Sequence, residues 1–235
     1  MSYDTAITVF APDGRLFQVD YAFEAARRGN SALGIRTKRA VVLGVEKISA
    51  AQLQDPRTIK KIIPIDAHIS LTFAGLQADA RIISNKAMLE CQSYRLTLED
   101  APSIDYIARF VAKQQQRFTQ RGGVRPYGVN IMLAGFDREE NPKLYLTEPN
   151  GTFTQWKAVG IGKNEKSVNQ LIESKWDEDI SEPEAVRLSI EALLGVVESG
   201  AKNIEVAIMR PGKPLEFIPH EDVVGIVEEI EAAGK

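Results

Sequence analysis

The sequence predicts an α+β fold in which two antiparallel sheets stack face to face and helices cover both outer faces, a four-layer αββα sandwich. Three observations lead there. Strand-length apolar runs come in pairs separated by a few polar or turn residues, which suits antiparallel hairpins better than crossover units. Helical stripes also come in pairs, and strands and helices are clustered rather than alternated. With 44% hydrophobic and 26% charged residues in 235, the chain can bury a large core. No internal repeat, low-complexity tract or Pro/Ser-rich linker divides it, so one domain over residues 1–235 is expected.

The elements follow in order. A Pro12-Asp13-Gly14 turn precedes an amphipathic segment over 14–29, with Leu16, Val19, Phe23 and Ala26 on one side. Arg27 and Arg28 favour a helix C-terminus there, and Gly29 is expected to supply a left-handed stop. The first strand pair is "SALGIR" with "AVVLGV", the second "KIIPI" with "ISLTFA". Leu76, Ala80, Ile83, Ala87, Cys91 and Tyr94 then stripe a long helix. Ile104, Ile107, Ala108, Val111 and Phe118 stripe another, with Pro102 in an early helix position. "RGGVRPYG" at 121–128 stops that helix. Four strand-like runs succeed it, "VNIMLAGF", "KLYLTE", "TFTQW" and "AVGIG", with "EPNG" as a turn. Val168, Leu171 and Ile172 mark the next helix. Another opens at Ser181 with Glu184 as a capping box and runs to Gly200. "IEVAIM", "LEFI" and a final helix carrying Val223, Val227 and Ile230 close the chain.

Composition excludes several functions. A net charge of −3 argues against a nucleic-acid partner, and the densest basic run, "RTKR" at 36–39, reads as a solvated turn. The single cysteine, Cys91, excludes an intrachain disulfide, and with only two histidines, His68 and His220, no structural zinc site is expected. The N-terminus lacks the succession of basic, apolar and small residues of a secretory signal. No apolar run approaches the ~18 residues of a membrane helix. An intracellular, soluble protein with no cofactor and no membrane partner is expected.

Motifs for chemistry are sparse. "AVGIGKNEKS" places glycines and a lysine between a strand and a helix, but Lys157 and Asn164 stand where a phosphate loop needs glycine and Ser or Thr, so a strand-to-helix turn is the better reading. No H-E-x-x-H, G-x-S-x-G or G-x-G-x-x-G occurs. Cys91 lies on an apolar helical face and reads as a buried thiol. The many Asp and Glu pairs fall on exposed helix positions, and nothing selects a glycosidase-like carboxylate pair.

The opening stretch, "YDTAITVFAPDGRLFQVDYAFEAARRG", resembles the N-terminal signature of the α-type subunits of the 20S proteasome. "FAGLQADAR" and "GGVRPYGV" are similar to two further stretches of that family, and the likeness runs over essentially the whole chain. Within the family, "ECQSYRLTLED" and "VEEIEAAGK" are most similar to one eukaryotic subtype. The resemblance implies the N-terminal nucleophile hydrolase fold, which catalytic β subunits share. In those relatives a threonine at the mature N-terminus attacks the peptide carbonyl, helped by its own free amine. Here Asn30 falls at or next to that position, with twenty-nine residues ahead of it. A carboxamide cannot make the attack, so a non-catalytic subunit is implied. The alternatives are an active hydrolase processed near Ser31 and a ring chaperone without a protease partner.

The resemblance also implies roles. Lys61, in "TIKKI", matches the lysine that receives the C-terminal carboxylate of an activator tail between neighbouring α subunits, and a Lys ammonium suits a single carboxylate. Asp20, Gly29 and Leu76 match the rest of that pocket; Asp20 replaces the usual glutamate and so has a shorter reach. Tyr3, Asp4, Pro12 and Tyr21 match a gate cluster, with residues 1–12 as the gate tail. Thr5 replaces the family's arginine, removing any ion pair from that position. Expected partners are the other α subunits of a seven-membered ring, the β-subunit ring and the tails of regulatory particles; the expected location is cytoplasm and nucleus.

Overall fold

The computed structural model describes residues 8–47, 53, 55, 58–197 and 200–233. Helix α1 spans Phe17–Arg27, and the strands that follow are β1 (Ala32–Arg36), β2 (Val41–Glu46), β3 (Ile62–Asp66) and β4 (Ile69–Gly75). Helices α2 (Gln77–Leu98) and α3 (Ile104–Gln120) lead into β5 (Val129–Phe136), β6 (Pro142–Thr147), β7 (Phe153–Gln155) and β8 (Ala158–Ile161). Helices α4 (Glu165–Lys175) and α5 (Glu182–Leu194) precede β9 (Ile204–Met209), β10 (Glu216–Phe217) and α6 (His220–Ala233).

Two five-stranded antiparallel sheets result, in the orders β10-β9-β2-β1-β8 and β3-β4-β5-β6-β7. Strand alternation sends each residue set to its own layer. Val41, Leu43 and Val45 point between the sheets, where they meet Ile62, Met132, Leu144 and Ile161. Val42, between them in sequence, faces outward with Leu33, Ile35, Val206 and Ile208 against Val168, Ile172, Leu188, Leu193 and Val223 of the outer helices. On the other side Leu71, Phe73, Ile131 and Leu133 pack against Ile83, Ala87, Cys91, Ile107 and Val111. Strand β2 is therefore buried on both faces, which is why its sequence runs almost without a polar residue.

Some element boundaries differ from the sequence expectation for local reasons. Leu76 is the N-cap of α2 and 44% exposed rather than part of the buried stripe. Pro102 stands ahead of the Ser103 N-cap, outside α3. The capping box forms, with Ser181 N–H donating to Glu184 at 2.9 Å, but α5 stops at Leu194 and Gly200 instead opens a short 3-10 turn at φ +60°. The Pro12-Asp13-Gly14 turn forms, with Gly14 at φ +80° and its N–H donating to the Ala11 carbonyl at 2.8 Å. Phe17–Arg27 buries Val19, Ala22 and Ala26, while Leu16 and Phe23 are half-buried.

The end of α1 corrects the reading of Gly29. The cap residue Arg28 is right-handed at φ −81°, and Gly29 is absent from the residues with positive φ. Glycine is needed there for contact: a Cβ on Gly29 would lie 1.9 Å from the Gly75 nitrogen. Gly75 has the left-handed requirement, at φ +123°, and its own Cβ would lie 2.3 Å from the Gly128 carbonyl oxygen. Replacing Gly29 with Ala should therefore push α1 off the ends of β4 and β5 and destabilise the protein by about 1–3 kcal/mol. Denaturant unfolding of the variant against the wild type measures this.

Candidate functional site

Three segments converge where α1 gives way to β1. Ser31 is fully buried, and its backbone N–H donates to Glu46 Oε2 at 2.9 Å. Glu46, at the end of β2, also receives Lys163 Nζ on Oε1 at 2.6 Å. Lys61, immediately before β3, is 5% exposed; its ammonium donates to the carbonyl oxygens of Asn30 (2.6 Å), Ser31 (3.1 Å) and Glu46 (3.3 Å). Lys163 comes from the turn between β8 and α4, and its backbone N–H donates to the Gly29 carbonyl at 2.8 Å. The Ser31 hydroxyl is buried with no hydrogen-bond partner among the described residues.

The electrostatics follow from burial. Desolvation lowers the Lys61 pKa from its ordinary 10.5 to about 7; the Lys163 charge acts in the same direction, and Glu46 opposes both. Glu46 does not prevail, because the desolvation of so deeply buried an ammonium is the larger effect. The site is a buried cation ringed by carbonyls and lying against a continuous peptide. Among the described residues no group of three or more His, Cys, Asp or Glu is placed to hold a metal.

The structure brings some of the expected pocket residues together. Gly29 lies beside Asn30, which binds Lys61, and it touches Gly75, the neighbour of Leu76. Lys61, Gly29 and Leu76 thus belong to one locality at the foot of α1. Asp20 turns the other way, to an ion pair with Arg15 at 2.8 Å. Pro12 is exposed in its turn, and Tyr21 is exposed on α1. Tyr3 and Asp4 lie outside the described residues. Sequence reasoning missed Glu46 and Lys163. Glu46 carried a signal, a carboxylate closing an otherwise apolar strand run; Lys163 was weighed only as a phosphate-loop lysine.

Residues 26–209 match the family profile described as proteasome subunit, and residues 3–25 match the N-terminal signature of the A-type proteasome subunits. The chain belongs to the proteasome subunit family. It is 52% identical over 230 residues to proteasome subunit alpha type-7 of Dictyostelium discoideum, covering 98% of this chain and 92% of that protein. Proteasome subunit alpha type-7 of Cicer arietinum is 52% identical over 231 residues, with 98% and 92% covered. Proteasome subunit alpha type-8 of Mus musculus is 49% identical over 231 residues, with 97% and 92% covered. This is an α-type subunit, and the two-sheet sandwich is the proteasome form of the N-terminal nucleophile hydrolase fold. The subtype to which "ECQSYRLTLED" and "VEEIEAAGK" are similar is type-7.

In this α-type proteasome subunit the two matched regions meet at α1, and its last turn rests on Gly75. The lowered Lys61 pKa has a consequence for stability. Between pH about 7 and 10.5 the unfolded chain holds a proton on Lys61 that the folded chain releases, so this residue's contribution to stability rises with pH through that window. The slope is at most about 1.4 kcal/mol per pH unit. Lys61→Met should flatten it, as a comparison of unfolding midpoints of variant and wild type between pH 6.5 and about 10 would register.

Proposed function

We propose that this chain is a non-catalytic structural and gating subunit of the outer α ring of the 20S proteasome, admitting substrate to the chamber and docking regulatory particles for ubiquitin-dependent degradation. The observation that carries the reading is that α1 stands ahead of Ser31 and packs on β4 and β5, so that the nitrogen at the head of β1 is a buried peptide amide. N-terminal nucleophile chemistry needs a free amine there to take the hydroxyl proton. With the Asn30–Ser31 bond intact the amide nitrogen has no basic lone pair and donates to Glu46 instead. Lys61 then serves as a cation for an activator's terminal carboxylate, in a pocket completed by a neighbouring subunit. The partners in this reading are six further α subunits, a β ring and regulatory-particle tails, in cytoplasm and nucleus.

A second reading is favoured by one feature. The buried Ser31 hydroxyl has no hydrogen-bond partner among the described residues, and the Lys61 ammonium binds the same residue's carbonyl, as an enzyme processed before Ser31 would need. Gentle purification from the protein's own cells separates the two. A large particle containing other proteasome subunits, with this chain's residues ahead of Ser31 intact by mass, is expected. A small species beginning near Ser31 would make the chain a hydrolase and end the scaffold reading.

The gate makes its own prediction. Deleting residues 2–10 should raise hydrolysis of short fluorogenic peptides by the assembled particle several-fold, without changing particle yield. An unchanged basal rate would mean that other subunits form the seal.

A further inference from the structure

The seat beneath α1 depends on a buried carboxylate that lies outside the Lys61 cluster. Asp79, in the first turn of α2, is 6% exposed, yet its neighbours along that helix face are apolar. Its Oδ2 accepts the Gly128 backbone N–H at 3.0 Å, and Arg125 grips it with both guanidinium nitrogens, Nη1 at 2.7 Å and Nη2 at 2.8 Å. The Gly128 carbonyl in turn accepts the Leu76 N–H at 3.0 Å. The head of α2 and residue 128 are therefore joined by a closed pair of bonds, one from each end of the same residue. Tyr127 is anchored separately, its hydroxyl accepting from Lys86 at 3.2 Å and its ring 4.6 Å from that of Phe118.

What rests on Gly128 gives the carboxylate its importance. A Cβ on Gly128 would come within 3.1 Å of the Ala25 side chain, and one on Gly75 would meet Gly128 O at 2.3 Å and the Ala26 Cα at 3.0 Å. Ala25 and Ala26 thus lie directly on Gly128 and Gly75, and Gly29 closes on Gly75 one turn later. The approach of α1 to Gly128 and Gly75 leaves little room for even a Cβ on either glycine, so a shift of Gly128 passes straight to the helix. Arg125 has most of its side chain in solvent and closes the outer side, whereas the bond to Gly128 lies inside. A buried carboxylate is costly unless every oxygen is engaged, and at the head of α2 the helix dipole adds to the three donors.

We propose that Asp79 is a positioning residue for the entrance segment: by holding the Gly128 amide, with Arg125 clamping it from outside, it fixes the seat on which α1 lies and so the direction in which the chain ahead of α1 leaves the body. The placement of α1 stands on the contacts above; its consequence for substrate admission rests on the gating role proposed in the preceding subsection.

Hydrogen exchange on the assembled particle tests it. Asp79→Asn should speed exchange of the amides in 17–29 about tenfold while those in α5 keep their wild-type rates. Arg125→Lys, which keeps the charge but loses the paired N–H geometry, should give a smaller increase, about two- to threefold, and serves alone if Asp79→Asn does not assemble. Unchanged exchange over 17–29 in an assembled variant would overturn the proposal, and so would an equal rise in α5, which would mark Asp79 as a general stability residue. Basal hydrolysis of short peptides is read on the same particles. A rise supports both the seat and the gate; faster α1 exchange with an unchanged rate supports the seat and overturns the gating role.

Discussion

The fold at its functional end depends on a contact between two backbones. Gly29 and Gly75 approach so closely that a Cβ on the first would lie 1.9 Å from the nitrogen of the second, a separation no side chain tolerates. That approach lets α1 lie across the ends of β4 and β5, and it places residues 29–31 at the mouth of the space between the two sheets. The strands supply a rigid platform, since β4 is paired on both sides and buried along nearly its whole length. The glycines supply the fit. Neither suffices alone: a sheet without the glycines would hold α1 away, and glycines without a platform would not fix a height.

Once residues 29–31 are held, the polar groups around them have little choice. The carbonyls of Asn30 and Ser31 face Lys61, the amide of Ser31 faces Glu46, and the carbonyl of Gly29 takes the Lys163 amide. Two ammonium groups lie near one carboxylate, and the ion pair goes to Lys163, which is more exposed than Lys61. Lys61 is left with carbonyl dipoles, which satisfy its N–H donors without cancelling its charge. This is why burial dominates its acidity. Among the described residues the Ser31 hydroxyl has no partner inside that arrangement, a costly state for a buried donor.

The layered fold was legible because each layer leaves a period in the sequence. Two-residue alternation within β2 and three- to four-residue spacing along α2 and α3 could be read from residue types alone. Contacts that join residues far apart in the chain left no such trace. Gly29 read as a helix stop, since a local rule assigns glycine to that place, whereas its partner is forty-six residues away. Asp20 came from family resemblance as part of the pocket, and the ion pair it makes with Arg15, five residues earlier, left no trace that spacing rules could read. Glu46 and Lys163 are separated by 117 residues and meet only after β1 is sandwiched between β2 and β8. Lys61 and its neighbours Gly29 and Leu76 came from family resemblance, not from any spacing.

The engagement of Lys61 limits how a carboxylate could dock there. Its ammonium has three N–H donors, and all three point at carbonyls, with the contact to Glu46 O the longest at 3.3 Å. An incoming terminal carboxylate must therefore replace one of these bonds rather than fill an empty place. The exchange gains a bond between opposite charges and loses one between the ammonium and an uncharged carbonyl, and it strands the carbonyl of Asn30, Ser31 or Glu46. On the proposed reading, the net affinity from the lysine alone is small, and most of the tail's binding must come from surfaces contributed by the neighbour in the ring. The freed carbonyl matters more. Asn30 lies one residue past the contact of Gly29 with Gly75, so altering its bond acts on the same peptide that seats α1, and on the proposed reading this is the route by which a docked carboxylate would act on the entrance segment.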